Sequence, residues 1–317
     1  MALFLDEQQV TELLSMHVAL SAVEDALKQQ GLGTAINNPR SRVRVPTGQL
    51  HMMGAALPTR GVFGYKAYTA VKGKVRFHMM LYSTETGELL AVLQADRLGQ
   101  MRTGAASGVA TKHMARADAH TVGIFGTGWQ ARSQLEAVCA VRSIEAIKAF
   151  GRDAARRQTF CTDMGQQLGI PVEPATSPEA LVKGVDVVIT ATNARDPLFD
   201  GNWLEPGAHV NAIGSNTLIR REIDDTVVRR SALIIVDSKE QACLECGDLL
   251  GALERGIVHR EQIRELGDVV AGMIPGRRQA SDITLFESHG LAIWDIAVGM
   301  AVYETAKARG IGREVAL

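Results

Sequence analysis

Lys66 stands in GVFGYKAYTA, an otherwise apolar stretch. A lysine inside a strand core is costly unless it has a partner or a task, so it reads as a site residue. Arg40, Arg42 and Arg44 alternate, and in a strand they share one face. One of the three would anchor a carboxylate through a bidentate pair, while a solvated face accounts for the other two. Arg102 lies in QMRTGAAS, just ahead of a run of small residues. Read as a helix start, that segment offers the N–H groups of Thr103 and Gly104 to a phosphate.

A second kind of chemistry begins at Thr121, in TVGIFGTGWQARSQ. Gly126, Gly128 and Ala131 form G-x-G-x-x-A behind an apolar strand. Gly126 would make the tight turn, Gly128 would admit a pyrophosphate, and Ala131 would let the helix lie close on the sheet. A second strand ends in AFGRDAARR, where a dinucleotide site holds the adenine ribose. Arg152 there would meet a 2′-phosphate. Asp153 would either meet a ribose or cap the next helix. The pattern favours NADP over NAD and allows both.

These residues need elements to hold them. Residues 6–30 read as helical, with Asp6 and Ser15 as caps. From Arg40 to Val92 the rhythm is that of short strands, and STETGELLAVL reads as a hairpin. A small-residue helix is expected over 101–115. Beyond Ala119 strands and helices alternate: TVGIFG, IKAFGR, DVVITAT, HVNAIG and ALIIVD, with helices over 129–141 and 153–168. That is the signature of an open parallel sheet covered on both faces, an α/β fold. The segment GLAIWDIAVGMAVYETAKARG returns to helical spacing.

Composition narrows the function classes. Hydrophobic residues make up 46% of the 317 and charged residues 22%, and the net charge is −1, so nothing points to nucleic acid or an acidic membrane. MALFLDEQQ has neither a basic n-region nor a long apolar run, so neither a signal peptide nor a membrane span is expected. Four cysteines suggest no disulfide scaffold, and a cytoplasmic location is the default. Cys243 and Cys246 form a C-x-x-C with no second pair and no nearby paired histidines. Packing is their default, and no metal site is read.

Several blocks taken together carry a resemblance: GYKAYT, QMRTGAASGVATKHMA, GIFGTGWQA, VNAIGSN, VDSKEQACLECGDL and LFESHGLAIWD. In this order, from about residue 5 to 310, the chain resembles the ornithine cyclodeaminase/mu-crystallin family. The resemblance implies a Rossmann dinucleotide-binding domain, residues 119–292, inserted into an α+β substrate and dimerisation domain, residues 1–118 and 293–317. It implies a homodimer formed through the N-terminal domain. It also implies a small imino-acid or amino-acid substrate, with NADP or NAD as cofactor.

By the same resemblance, Arg40 and Arg102 bind the substrate carboxylate, with Arg42 still open in place of Arg40. Lys66 stands at the reacting carbon. Gly126, Gly128 and Gln130 belong to the cofactor loop, and Trp129, Thr192, Asn193, Gly214 and Ser215 join the cofactor contacts. Asn216 falls where cyclodeaminases carry an acid. An amide is no base, so a reductase or dehydrogenase is favoured over a cyclodeaminase, although Asn216 would still orient an imine nitrogen or water by hydrogen bonding. The presence of Lys66 and both arginines argues against a non-catalytic cofactor binder. His289 departs from the family's small or apolar residue at that place. It reads as a satisfied histidine or as a proton donor. His51 and His78 are candidates to line the same pocket, and Asp295 reads as a structural tie between the last helix and the sheet edge. The expected reaction is hydride transfer to the C=N of a 2-imino acid, giving the L-amino acid. A cyclic ketimine such as Δ1-pyrroline-2-carboxylate ranks ahead of iminosuccinate, and an alanine-type dehydrogenase is the alternative.

Overall fold

The structure is a computed structural model and describes residues 1–316. The chain opens with β1 (Ala2–Leu5), α1 (Glu7–Leu13) and α2 (Met16–Gly31), then β2 (Ile36–Asn37), β3 (Ser41–Val45), β4 (Gly48–Leu57), β5 (Val62–Val71), β6 (Lys74–Ser83) and β7 (Leu89–Gln94). Helix α3 (Asp96–Met114) leads into β8 (Thr121–Phe125), α4 (Trp129–Val141), β9 (Ala146–Phe150), α5 (Ala154–Leu168), β10 (Val172–Pro174), α6 (Pro178–Val182), β11 (Val187–Thr190) and β12 (His209–Ala212). After these come α7 (Asp225–Arg230), β13 (Ser231–Val236), α8 (Lys239–Glu245), α9 (Gly247–Glu254), β14 (Ile263–Glu265), α10 (Leu266–Val270), β15 (Ile283–Glu287), α11 (Ala292–Arg309) and β16 (Arg313–Val315).

Contacts divide the chain into two compact units: Met1–Ala105 with the segment from Gly290 onward, and Ala106–His289. The second is inserted into the first. The family resemblance implies boundaries at 118/119 and 292/293, whereas the contacts divide within α3 and just before α11.

The first unit is built on one sheet in the order β16-β1-β7-β6-β5-β4-β2, with β3 also on β4. Asp6 caps α1 with a capping box and Ser15 caps α2, as their sequence positions suggest. Helix α11 packs on β4, β5 and β6 and against α2. Its apolar residues Trp294, Ile296 and Val298 are fully buried. One sheet face thus lies under α11. The opposite face leaves Val43, Val45, Met52, Phe63 and Tyr65 exposed.

The second unit is an eight-stranded parallel sheet, β10-β9-β8-β11-β12-β15-β13-β14. One apolar core joins it to α4 and α5 through Leu135, Val138, Phe160 and Met164. The other face carries Leu181, Val227 and Leu249. The first strand, β8, lies between β9 and β11, so the order reverses beside it. That switch point is where doubly wound sheets open a ligand crevice.

Candidate active site

In the first unit, Lys66 sits at the middle of β5 on the face covered by α11. It is wholly buried between its cross-strand neighbours Met53 and Met79. Its Nζ lies 2.8 Å from both carboxylate oxygens of Asp295, in the first turn of α11. Arg102 reaches the same carboxylate, Nε to Oδ1 at 3.0 Å. The rings of Phe77 and Tyr68 stand 5.5 and 5.7 Å from Nζ. Burial lowers the Lys66 pKa to about 7, Arg102 and Arg40 push the same way, and Asp295 opposes them. The amine therefore exchanges its proton near neutrality.

Arg40 is buried just before β3, its Nε 3.3 Å from Met53 Sδ. Arg42 is half-buried opposite His51, and Arg44 is exposed opposite Gln49. Arg42 and Arg44 follow the alternation expected of a strand, while Arg40 precedes β3 and lies deepest of the three. Arg102 holds its guanidinium 5.8 Å from the Trp294 ring, and its Nη1 is buried with no hydrogen-bond partner. Such an atom is a ready donor for a carboxylate oxygen.

His51 shares the Lys66 face and stacks on Tyr68 at 4.2 Å. Burial, helped by Arg42, Arg40 and Arg44, lowers it to about 4, so it is neutral at pH 7. His78 does not join it. In the β5–β6 register it pairs with Ala67, one position from Lys66, so it points to the opposite face and is exposed. Thr103 also differs from expectation. Helix α3 begins at Asp96, so the Thr103 and Gly104 N–H groups lie inside the helix, and the Thr103 hydroxyl donates to Gly99 O at 2.7 Å. They are not at a helix start, and no phosphate can be met that way.

In the second unit, Gly126 ends β8 with φ +106, and a Cβ there would lie 2.4 Å from Ala191 O. Only glycine fits this turn. Gly128 caps α4 without a side chain, and nothing lies within 4 Å of where its Cβ would be. The first N–H groups of α4 thus have no side-chain cap, which suits a dinucleotide phosphate. Trp129 is exposed, Gln130 is half-buried with a buried, unpartnered Oε1, and Ala131 is sealed under the helix. Arg152 is exposed beyond β9. Asp153 takes the capping role, accepting from Arg156 N at 2.9 Å.

Glu222 organises the neighbouring strand ends. It accepts from Thr192 N and Oγ1 at 2.6 Å each, from Gly214 N at 2.7 Å and from Thr190 Oγ1 at 2.8 Å. Burial nevertheless raises its pKa to about 7. A Cβ on Gly214 would lie 2.2 Å from Thr192 O, so the two loops pass in close contact. Asn193 is exposed, and the Ser215 hydroxyl donates to Arg220 O at 2.9 Å. Asn216 is half-buried and accepts from Arg220 Nη1 at 3.5 Å. His289 is sealed, its Nδ1 3.3 Å from Asp237 Oδ1 and its N–H donating to Oδ2 at 2.6 Å. Cys243 is exposed and Cys246 buried, so the C-x-x-C does not act as one pair.

Two residues of the site escape the sequence reading. Asp295 does not tie a helix to a sheet edge. It binds Lys66 of the interior strand β5. Its signal was a lone acid in AIWDIAV, where a buried carboxylate needs cations. Glu222 stands among charged loop residues, and its partners become visible only once β11 and β12 are placed.

A sequence profile of the ornithine cyclodeaminase/mu-crystallin family matches residues 2–310. The chain belongs to that family. Alanine dehydrogenase of Archaeoglobus fulgidus is 36% identical over 99% of this chain and 98% of its own. The structure of Thermococcus litoralis Δ1-pyrroline-2-carboxylate reductase, in complex with NADH and L-proline, superposes with a TM-score of 0.94 at 35% identity. It covers 99% of this chain and 100% of its own. The iminosuccinate reductase of Paracoccus denitrificans, in complex with NAD+, gives a TM-score of 0.94 at 27% identity, covering 100% and 99%. The expected fold class holds throughout: a Rossmann sheet and a second α+β unit. Among the described residues, no helix of this family member is long and apolar enough to cross a membrane.

Proposed function

We propose that this protein reduces a small 2-imino acid to the L-amino acid, as an NAD(P)-dependent oxidoreductase of CH–NH and C=N bonds. The observation that carries this reading is the buried Lys66–Asp295–Arg102 group, with an amine poised near neutrality and a guanidinium nitrogen lacking a partner. Arg102 and Arg40 take the substrate carboxylate in charge-assisted hydrogen bonds. Fixing it orients the C=N carbon and lowers the entropic cost of reaction. Lys66 Nζ gives its proton to the imine nitrogen, and Asp295 holds the amine in place. The bound dinucleotide supplies the hydride.

Gly126, Gly128, Trp129, Gln130, Thr192, Asn193, Gly214 and Ser215 line the proposed cofactor site. Arg152 favours a 2′-phosphate, because Asp153 is spent on its cap. Asn216 offers no base, which argues against ammonia elimination from ornithine. A cyclic ketimine of the Δ1-pyrroline-2-carboxylate type is the proposed substrate. Iminosuccinate is the second reading, favoured by Arg42 on the same face for a second carboxylate. Alanine-type dehydrogenation would use the same groups.

We propose a homodimer formed through the first unit, because Val43, Val45, Met52, Phe63 and Tyr65 leave that sheet face apolar and exposed, and a cytoplasmic location, in keeping with its four free cysteines.

The test mixes the protein with NADPH or NADH and a panel: pyrroline-2-carboxylate, piperideine-2-carboxylate, iminosuccinate, and pyruvate with ammonia. Loss of reduced-cofactor absorbance with one imine is the expected result. No oxidation with any member, together with proline formed from ornithine, would overturn the proposal.

A further inference from the structure

The second unit buries three carboxyl groups without a basic partner. Glu222, Asp248 and Glu287 are each at most 1% exposed, and among the described residues none pairs with a lysine or arginine. Asp248 Oδ1 accepts from the N–H groups of Glu222 and Ile223 at 2.6 and 2.9 Å, but its Oδ2 is buried without a partner. Glu287 Oε1 is likewise buried and unpartnered. Leaving such atoms unmet is expensive, and leaving them charged more so.

Beside these carboxylates stand a thiol and an imidazole. Ligand atoms of Cys246, Glu287 and His289 all lie within 4.8 Å of one another, and all three residues are buried. Cys246 Sγ is 3.9 Å from Glu287 Oε2. A tetrahedral zinc with Zn–S of about 2.3 Å and Zn–O of about 2.1 Å would separate the two by about 3.6 Å. His289 has its ring oriented by Asp237, in the carboxylate–histidine arrangement that commonly supports a metal ligand.

We infer that Cys246, Glu287 and His289 form a buried zinc site. A sulfur, a nitrogen and an oxygen donor suit Zn2+ better than Mg2+ or Ca2+, which prefer all-oxygen sets. Binding displaces the protons of the Cys246 thiol and the Glu287 carboxyl to solvent, and the dication supplies the charge that the unpaired carboxylates lack. The ligands lie at the end of β15 and the start of α9, and Asp237 orients His289 from just beyond β13, so the metal would tie β15 to α9. The role we assign it is structural.

The test uses the whole wild-type protein and needs no activity assay. Elemental analysis after extensive dialysis should find about one zinc per chain. Protein stripped with a chelator and titrated with Co2+ should show a thiolate-to-cobalt charge-transfer band saturating at one equivalent. That band should vanish in Cys246→Ser and persist in Cys243→Ser. Asp237→Asn should weaken cobalt binding about 10–100-fold. A wild-type protein with neither stoichiometric zinc nor the cobalt band overturns the inference, since the cluster would then be held by protons alone. So does a band that survives Cys246→Ser.

Discussion

The two units bury charge with opposite sign. Around Lys66, two cationic side chains share one carboxylate, Lys66 and Arg102 on Asp295, and Arg40 lies close enough to lower Lys66 further. Around Glu287 the imbalance runs the other way: among the described residues Glu222, Asp248 and Glu287 form no ion pair with a lysine or arginine. Buried charge that a fold leaves unbalanced is costly, and each excess indicates the sign of what completes it. The first group calls for an anion, which the carboxylate of the proposed substrate would supply. The second calls for a cation or for protons. The same physical quantity thus separates the proposed catalytic site from the proposed metal site.

The strongest way to break this comparison is Lys66→Ala. Imine reduction should fall by about 10³-fold, the scale of general acid catalysis. NADPH binding, followed by fluorescence, should be unchanged. Activity retained within a factor of ten would remove Lys66 from the chemistry.

Asp295→Ala strands two buried cations and should cost about 3–5 kcal/mol in urea unfolding. The double variant Lys66→Met/Asp295→Leu should recover part of that loss. Destabilisation below about 1 kcal/mol would show that the group is solvated.

The two units should also give stability slopes of opposite sign. Burial lowers Lys66 to about 7, so above that pH the unfolded chain binds more protons, and stability climbs toward the ordinary lysine range. Burial raises Glu222 to about 7, so the folded chain binds more protons below it, and stability falls as pH rises from the carboxylate range to about 7. Urea midpoints against pH should lose the first slope in Lys66→Met and the second in Glu222→Gln.

Arg102→Lys keeps the charge but removes the guanidinium fork. It should lower kcat/KM by about 10–100-fold, the scale of a charge-assisted hydrogen bond. The smallest effect is at the rim. Arg152→Ala should shift the NADPH-to-NADH preference toward NADH by about fivefold, since an exposed pair contributes at most about 1 kcal/mol.

Much of this arrangement was legible in the chain. The caps at Asp6 and Ser15, the five named strands after Ala119 and the G-x-G-x-x-A turn depend on local spacing, and local spacing is visible in a sequence. Lys66 declared itself because a charge in an apolar strand has few cheap explanations. The alternation of Arg40, Arg42 and Arg44 gave their shared face, but depth along it came only from the register against β4.

What was missed depends on distance in sequence. Asp295 meets Lys66 from 229 residues away. Glu222 meets Thr190, Thr192 and Gly214 across separate loops. Strands β10 and β14 are three residues each, too short to show a period. Helix α3 starts at Asp96 and runs through Gly99, ahead of the start expected at 101, so Thr103 lies in the helix interior rather than at its start.

The most direct test of the account is the pH dependence of kcat for imine reduction, wild type against Lys66→Arg. If protonated Lys66 gives the proton, wild-type kcat is level at low pH and falls as pH rises through about 7, where burial places this amine. Lys66→Arg, which cannot lose its proton in this range, should be slow and show no such fall. A wild-type profile flat from pH 6 to 9, or the same inflection in both proteins, would contradict the account.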